Sequence, residues 1–459
     1  MPKLDPNRIP MSRQSPEVRG KNFDEVARGY TPDEAAAEAN RCLQCPKPQC
    51  SVGCPVGINI PGFIKGIRDN DLSQAVRVLK DRNSLPGVCG RVCPQETQCE
   101  VRCVVGKKGT PVAIGALERF VADWERGHGI DTPERMAPTG KGVAVVGSGP
   151  AGLTAAADLA RRGHRVTLYE ALHLPGGVLV YGIPQFRLPK EIVAVEVDYV
   201  RSLGVEVKTD YVVGRTVTVD ELLSDGVQAI FVATGAGLPM FLGVPGENLV
   251  GIYSANEFLT RINLMKAYLF PEYDTPVIRG KRVAVVGAGN VAMDAARCAL
   301  RLGGEVSLLY RRTEAEMPAR HEELENAKEE GIVFRTLCAP TRFLGDKGRL
   351  TAVECQEMEL GAPDASGRPR PVPKEGHTFT LEVDTVVVAL GTSPNPLLPS
   401  TTPGLNVSRH GTVEANDTGK TSKARLWAGG DVVSGAATVI SAIGQAKRAA
   451  QAIDEFLKE

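Results

Sequence analysis

Two short β-branched runs, residues 142–146 and 283–286, each lead into a glycine-rich turn that opens onto a helix, and they stand about 140 residues apart. The first turn is Gly147-Ser148-Gly149-Pro150-Ala151-Gly152 and the second is Gly287-Ala288-Gly289-Asn290-Val291-Ala292. In such a turn the first glycine permits the tight reversal, the second lets backbone approach a pyrophosphate, and the third position needs a small residue for close helix–strand packing. The helix amino terminus behind it offers unpaired N–H groups to phosphate oxygens. A chain with two of these units must build two parallel sheets. Further buried-strand patterns at 385–390, ending in Gly391, and 425–428, running into Gly429, Gly430 and Asp431, add to that expectation.

One position distinguishes the two turns. After the strand at 166–169 stands Glu170, where a carboxylate accepts hydrogen bonds from ribose hydroxyls. After the strand at 306–310 stand Arg311 and Arg312, guanidiniums that would bind the 2′-phosphate a carboxylate would repel. The first turn is therefore expected to hold adenosine without an extra phosphate, and the second NADPH. A glycine-rich turn can also occur without a ligand, and an arginine pair can be a solvated face. Two correctly placed turns with opposite charge at the same position favour the binding reading.

Eight of the eleven cysteines crowd between Cys42 and Cys103, leaving only Cys298, Cys338 and Cys355 for the rest, which read as ordinary core residues. The first group is Cys42, Cys45, Cys50 and Cys54, followed by Pro55, and the second is Cys89, Cys93, Cys99 and Cys103, with Pro94 after Cys93. Uneven crowding argues for cluster ligation in a reducing compartment rather than for bridges. Eight thiols suit two [4Fe-4S] clusters, and a cysteine before proline often serves the other cluster of a pair. Structural zinc is the plainer alternative. It is disfavoured beside a turn expected to hold NADPH, a hydride donor, because zinc cannot accept electrons and an iron cluster can.

Around the cysteines, helices are expected at 32–43, capped by Thr31, and at 61–68, 72–80 and 114–126. Residues 131–141 read as a linker, and 361–376 as a surface hairpin or loop. Lys plus Arg and Asp plus Glu both total 54, so no global field would recruit nucleic acid or an anionic membrane. No apolar run reaches the roughly 18 residues a membrane span needs, and 1–10 carries no signal-length apolar stretch, so the expected location is the cytoplasm.

Further motifs carry a family resemblance. Ala233-Thr234-Gly235 and Ala389-Leu390-Gly391 resemble the two strand-end motifs of flavoproteins with paired dinucleotide-binding domains, and Gly430-Asp431 resembles their distal flavin motif. Gly176-Gly177 and Tyr181-Gly182-Ile183-Pro184 resemble the segment beside the isoalloxazine ring. Nearly end to end, the chain resembles the glutamate synthase small-subunit family. It is similar also to the amino-terminal part of dihydropyrimidine dehydrogenase and to the large subunit of NADH-dependent reduced ferredoxin:NADP oxidoreductase.

The resemblance implies an α/β fold in which a helical iron–sulfur domain (1–138) precedes two Rossmann-like domains. The NADPH domain (251–391) is expected to be inserted in a discontinuous FAD domain (139–250 and 392–459). FAD would be held by Gly147, Gly149, Pro150, Ala151, Gly152, Glu170, Gly177, Thr234, Gly235, Gly430, Asp431 and Thr438, with Asp431 on the ribityl chain. NADPH would be held by Gly287, Gly289, Asn290, Val291, Arg311, Arg312 and Gly391. Cys42, Cys45, Cys50 and Cys103 would ligate one cluster. Cys54, Cys93, Cys99 and Glu118 would ligate the other, leaving Cys89 spare; a helical carboxylate such as Glu118 is otherwise usually solvated.

Hydride transfer at such a flavin needs no side-chain acid or base. Arg8-Ile9-Pro10-Met11 and the segment Pro184-Gln185-Phe186-Arg187-Leu188-Pro189 look more like the ferredoxin:NADP oxidoreductase large subunit. That role implies ferredoxin and a small flavin and [2Fe-2S] subunit as partners, with a flavin able to bifurcate electrons. The alternative is an NADPH-oxidising glutamate synthase small subunit serving a large subunit. A non-catalytic relay or scaffold is the reading of another class, against which the intact glycines and Arg311 speak. Without a Cys-x2-Cys in the NADPH domain, a dithiol relay is not expected.

Overall fold

The computed structural model describes residues 5–129, 135–364 and 367–459. Residues 131–134 of the expected linker, and 1–4 of the amino terminus, lie outside the described residues. Six helices, Pro32–Ala39, Gln49–Gly53, Ile60–Arg68, Leu72–Arg82, Pro86–Val92 and Ile114–His128, build most of the cysteine-bearing part. Thr31 and Glu34 form a reciprocal capping box with Pro32 at the first position. The helix expected at 32–43 stops at Ala39. Beyond it the chain tightens into single turns (Arg41 N–H to Glu38, Cys42 N–H to Ala39), and Gln44 takes the left-handed conformation. Cys42 therefore stands in a turn.

The first sheet begins with β1 (Gly142–Val146), β2 (Arg165–Tyr169), β3 (Glu206–Lys208) and β4 (Ala229–Val232), all parallel. The chain leaves it through β5 (Leu238–Pro239). A second parallel sheet follows with β6 (Ile252–Ser254), β7 (Arg282–Val286), β8 (Glu305–Leu309) and β9 (Val333–Arg335). Next come β10 (Cys338–Asp346), β11 (Arg349–Pro363) and β12 (Pro369–Glu382), an antiparallel sheet. The hairpin expected at 361–376 is thus the outer end of a larger element. The chain returns through β13 (Thr385–Val388) and β14 (Thr392–Ser393), the latter pairing with β5, and reaches β15 (Leu426–Ala428).

The strand orders are β15-β4-β1-β2-β3 and β6-β13-β7-β8-β9. Each sheet places its glycine-turn strand between its diagnostic strand and a strand-end motif. The second is nested in the first, since β15 pairs with β4 across the whole intervening segment. Among the described residues no helix is long and apolar enough to cross a membrane.

Two packings hold the parts in place. Val88, Cys89, Val92 and Leu117 of the cysteine part share one apolar core with Leu153, Val193, Val197 and Ala446 of the first sheet's helices. An amino-terminal strap reaches the second sheet, where Phe23 stacks on Tyr268 with centroids 4.2 Å apart. There the buried Arg19 donates to Glu330 at 3.0 Å and to Glu329 at 2.5 Å. Glu330 also receives Arg297 and Arg301, whose guanidiniums lie over the Phe186 ring. One carboxylate so ties the strap, the 184–189 segment and the second sheet's helix Asn290–Arg301.

Candidate functional site

The first glycine turn has the shape of a phosphate cradle. A Cβ on Gly147, whose φ is 98°, would come 2.4 Å from the Ala233 carbonyl oxygen, and one on Gly152 would come 1.8 Å from that of Gly147. A Cβ on Gly149 would meet nothing within 4 Å. The turn is thus closed where helix meets strand and open where a pyrophosphate would lie. Pro150 opens the helix Pro150–Arg161 with Ala151 and Gly152 behind it.

Glu170 is buried beside this turn. Its Oε2 accepts the Ser148 N–H at 2.9 Å and the Ser148 hydroxyl, and its Oε1 accepts the Leu172 N–H at 2.9 Å. Ser148 Oγ in turn accepts the Gly176 N–H at 2.8 Å, folding Gly177 against Gly149. Thr234 and Gly235 follow β4 on the same side. Gly430 approaches Ala151 from the end of β15, and burial pushes the Asp431 carboxyl above its ordinary range, opposed by the Ala437 N–H it accepts. Thr438 caps the long helix Val439–Lys458. Sequence reasoning missed Lys190, whose ammonium donates to the carbonyls of Leu179, Ile183 and Leu188 and pins the segment beside Gly182. A lysine one residue past Pro189 carries no local signal of that role.

The second turn repeats the design. A Cβ on Gly287 would come 2.4 Å from the Ala389 carbonyl oxygen, while the space at Gly289 is open up to Pro318. Ala292 is fully buried and Val291 half-exposed at the helix start. Asn290 Oδ1 accepts the Arg320 N–H at 3.0 Å. Gly391 closes the neighbouring strand end. The two arginines part company. Arg311 is exposed and has no hydrogen-bond or ion-pair partner among the described residues. Arg312 is turned inward, its Nη2 paired with Asp364 at 2.8 Å and its Nε donating to the Pro369 carbonyl at 2.7 Å. Its charge is committed to the β11–β12 turn, so a pair of free guanidiniums is replaced by one.

None of the eleven cysteines forms a disulfide, and Cys298, Cys338 and Cys355 are core residues as expected. The other eight fall into two sets. Cys42, Cys45, Cys50 and Cys103 line one recess with Ile60, Ile64, Val105 and Ile114. Burial pushes the Cys50 thiol up to about 11, and the neighbouring thiols of Cys103, Cys42 and Cys45 add to the rise. Around this recess Leu43, Val52, Val101 and Val104 are exposed.

The other set lies deeper. Burial, then the neighbouring Glu118 and Cys93, raise the Cys54 thiol; burial, then Glu100, Glu118, Cys93 and Cys54, raise that of Cys99. Glu118 itself is pushed to about 8 by burial, against a 2.8 Å hydrogen bond from Asn83 Nδ2. Its helix comes close to the cysteine-bearing one because Gly90 lets the two touch: a Cβ there would come 2.5 Å from the Arg119 nitrogen. Cys89, fully buried, lies 3.7 Å from Asn83 Oδ1, and its thiol is raised by the neighbouring Cys93 and by burial. Among the described residues, no three His, Cys, Asp or Glu side chains are gathered as ligands of a single metal ion. Thiols and a carboxyl buried this deeply ionise readily only against a compensating cation, and an iron cluster fits that donor set.

The deep set adjoins the first sheet. Gly444 on the carboxy-terminal helix packs against the Pro55 carbonyl, and Glu196 accepts the Gly87 N–H at 2.7 Å. Arg320 links the second turn to the same region, donating to Gln95 Oε1 and to the Arg91 carbonyl at 3.2 Å each.

Both parts of the chain match known proteins. Residues 19–130 match the family described as dihydropyrimidine dehydrogenase domain II, 4Fe-4S cluster, and 141–451 match pyridine nucleotide-disulphide oxidoreductase. The chain is 37% identical over 465 residues to the small chain of NADPH glutamate synthase from Azospirillum brasilense, covering 98% of this chain and 95% of that one. It is 40% identical over 436 residues to the beta subunit of an NADP(+)-dependent formate dehydrogenase from Moorella thermoacetica, covering 89% of this chain but 60% of that longer one. FprA from Mycobacterium tuberculosis in complex with NADPH has a similar fold, with a TM-score of 0.58 at 22% identity over 69% of this chain and 84% of that one.

Proposed function

This chain belongs to the pyridine nucleotide-disulphide oxidoreductase family and carries a 4Fe-4S domain ahead of it; from that premise we propose that it is the large subunit of a ferredoxin:NADP oxidoreductase. It is an NADPH-dependent flavin and iron–sulfur oxidoreductase. In the proposed assignment, the Gly147–Gly152 turn with Glu170, Gly177, Thr234, Gly235, Gly430, Asp431 and Thr438 holds FAD, and the Gly287 turn with Arg311 and Gly391 holds NADP(H). Cys42, Cys45, Cys50 and Cys103 hold an outer [4Fe-4S] cluster, and Cys54, Cys93, Cys99 and Glu118 an inner one. Bound flavin and clusters supply the conversion of a two-electron hydride into single electrons. The protein's share is to position, to exclude water and to keep the parts at fixed spacing.

The observation that carries this reading is the contact of the deep cysteine set with the flavin-side fold, through Pro55 on Gly444, Gly87 on Glu196 and a common apolar core. It supports an inner cluster beside the flavin and an outer one toward the partner. Around the outer recess the exposed apolar side chains are joined by exposed Lys47, Arg102, Lys107 and Lys108, a surface suited to an acidic carrier such as ferredoxin. In this role a small flavin and [2Fe-2S] subunit would handle NADH, and the FAD would bifurcate electrons.

Anaerobic NADPH titration of the purified protein tests the core of the proposal: the flavin absorbance should bleach and cluster EPR signals appear, with NADH much less effective. Flavin that stays oxidised would sink it. A second reading, electron delivery to a large glutamate synthase subunit, is favoured by the full-length match to the small chain. Co-purification distinguishes the two, through either a small flavin and [2Fe-2S] subunit or a large glutamine-dependent one.

A further inference from the structure

The deep set contains five candidate ligands for four positions: Cys54, Cys93, Cys99, Glu118 and Cys89. What separates the last two is Asn83, a fully buried side chain in the short link between helices Leu72–Arg82 and Pro86–Val92. Its amide orientation is determined by chemistry rather than chosen. Asn83 Oδ1 accepts the Leu85 N–H at 3.0 Å, and a backbone N–H can only donate, so the oxygen must face it. The Nδ2 group is thereby directed at Glu118 Oε1, 2.8 Å away. The second lone pair of Oδ1 remains for the Cys89 sulfur at 3.7 Å.

An amide so anchored treats its two neighbours differently. The N–H on Glu118 Oε1 orients the carboxylate, and its Oε2 has no hydrogen-bond partner among the described residues. The amide oxygen, by contrast, holds the Cys89 sulfur at 3.7 Å, so that side chain is engaged where Glu118 Oε2 is open. All three side chains are buried, where such contacts are stronger than in water.

We propose that Asn83 is a positioning residue that selects Glu118 over Cys89 as the fourth ligand of the inner cluster. This rests on the reading of the deep set as a [4Fe-4S] site. Without Asn83, the Cys89 thiol releases its proton to solvent and its sulfur takes the place of the Glu118 oxygen on iron.

The test is iron content and EPR of anaerobically reconstituted protein. Wild type should hold about eight irons per chain, two clusters of four. Cys89→Ala should keep them all with an unchanged spectrum. Asn83→Leu should keep them too, but with altered EPR and midpoint potential for the inner cluster alone. The double variant Asn83→Leu with Cys89→Ala should fall to about four irons, a loss of half. Asn83→Ser retains an oxygen for the Leu85 N–H and so guards the helix start; it should behave as Asn83→Leu does.

A double variant with the full iron content and the wild-type spectrum would overturn the proposal, as would loss of half the iron in Cys89→Ala alone. Loss of the inner cluster in a well-folded Asn83→Ser would equally overturn ligand selection. Wild type with about four irons would overturn the two-cluster reading itself, and needs no variant to be seen.

Discussion

The preference for NADPH should reside almost wholly in Arg311, although two arginines stand side by side after β8. Arg312 is buried and ion-paired to Asp364, with a second hydrogen bond to the Pro369 carbonyl, so its charge is already spent within the protein. Arg311 is exposed and has no partner among the described residues. A hydrogen bond to a charged group contributes about 1.5–3 kcal/mol, and at an exposed site the lower part of that range, about 1.5–2 kcal/mol, applies. Since about 1.4 kcal/mol is tenfold, Arg311→Ala should lower kcat/KM for NADPH roughly 10- to 30-fold and leave that for NADH nearly unchanged. The assay is steady-state reduction of an artificial one-electron acceptor by each nucleotide at low and high salt, with the NADPH preference shrinking as salt rises. Arg312→Ala should lower thermal stability and leave the NADPH to NADH ratio alone. Equal losses for both nucleotides in Arg311→Ala, or a collapse of the ratio in Arg312→Ala, would refute the assignment of the charge.

Two further outcomes follow from the packing. Burial opposes it, but the Arg297 and Arg301 hydrogen bonds hold Glu330 below its ordinary 4.5, at about 2. A carboxyl lowered on folding stabilises above its unfolded value and loses that contribution as pH falls from about 4.5 through about 2. Glu330→Gln should therefore cost about 3 kcal/mol at pH 7 in urea unfolding, with the gap to wild type narrowing below pH 4.5; a gap that is flat with pH counts against it. At the first turn, Gly149→Ala should leave the flavin-free protein's melting temperature unchanged but empty it of flavin on purification, because its Cβ enters open space where the pyrophosphate would lie. Gly152→Ala, forced against the Gly147 carbonyl, should lower stability with or without flavin, and a flavin-replete Gly149→Ala would contradict the cradle.

The features that could be read in the sequence are those whose physics is local. Gly147 and Gly287 are glycines because the next strand's carbonyl, at Ala233 or Ala389, lies where a Cβ would go. That demand repeats within a few residues of a strand and so leaves a motif. The alternation of buried strands, and the crowding of eight cysteines before Cys103, are equally short-range signals. What escaped is decided by residues far apart in the chain. Arg311 and Arg312 are chemically identical in a sequence, and only Asp364, 52 positions on, separates them. The sheet β10–β12 was half seen because β11 is long enough to leave the core: from Glu359 to Pro363 its side chains are exposed, and prolines and charges there read as loop. Arg19 and Glu330, 311 positions apart, show no pattern at all, yet they fix how the strap meets the second sheet.

Asn83 shows the same limit at the centre of the chemistry. Just past a helix an asparagine reads as a turn residue, and that role is real, since its side chain accepts the N–H of Leu85 two residues on. Its other end is informative only once Gly90 has let the helix Ile114–His128 approach and bring Glu118 within 2.8 Å. A residue can satisfy a local rule and decide a distant one with the same amide. Motif reading alone therefore leaves the choice between Glu118 and Cys89 open, because the group that makes the choice belongs to neither motif.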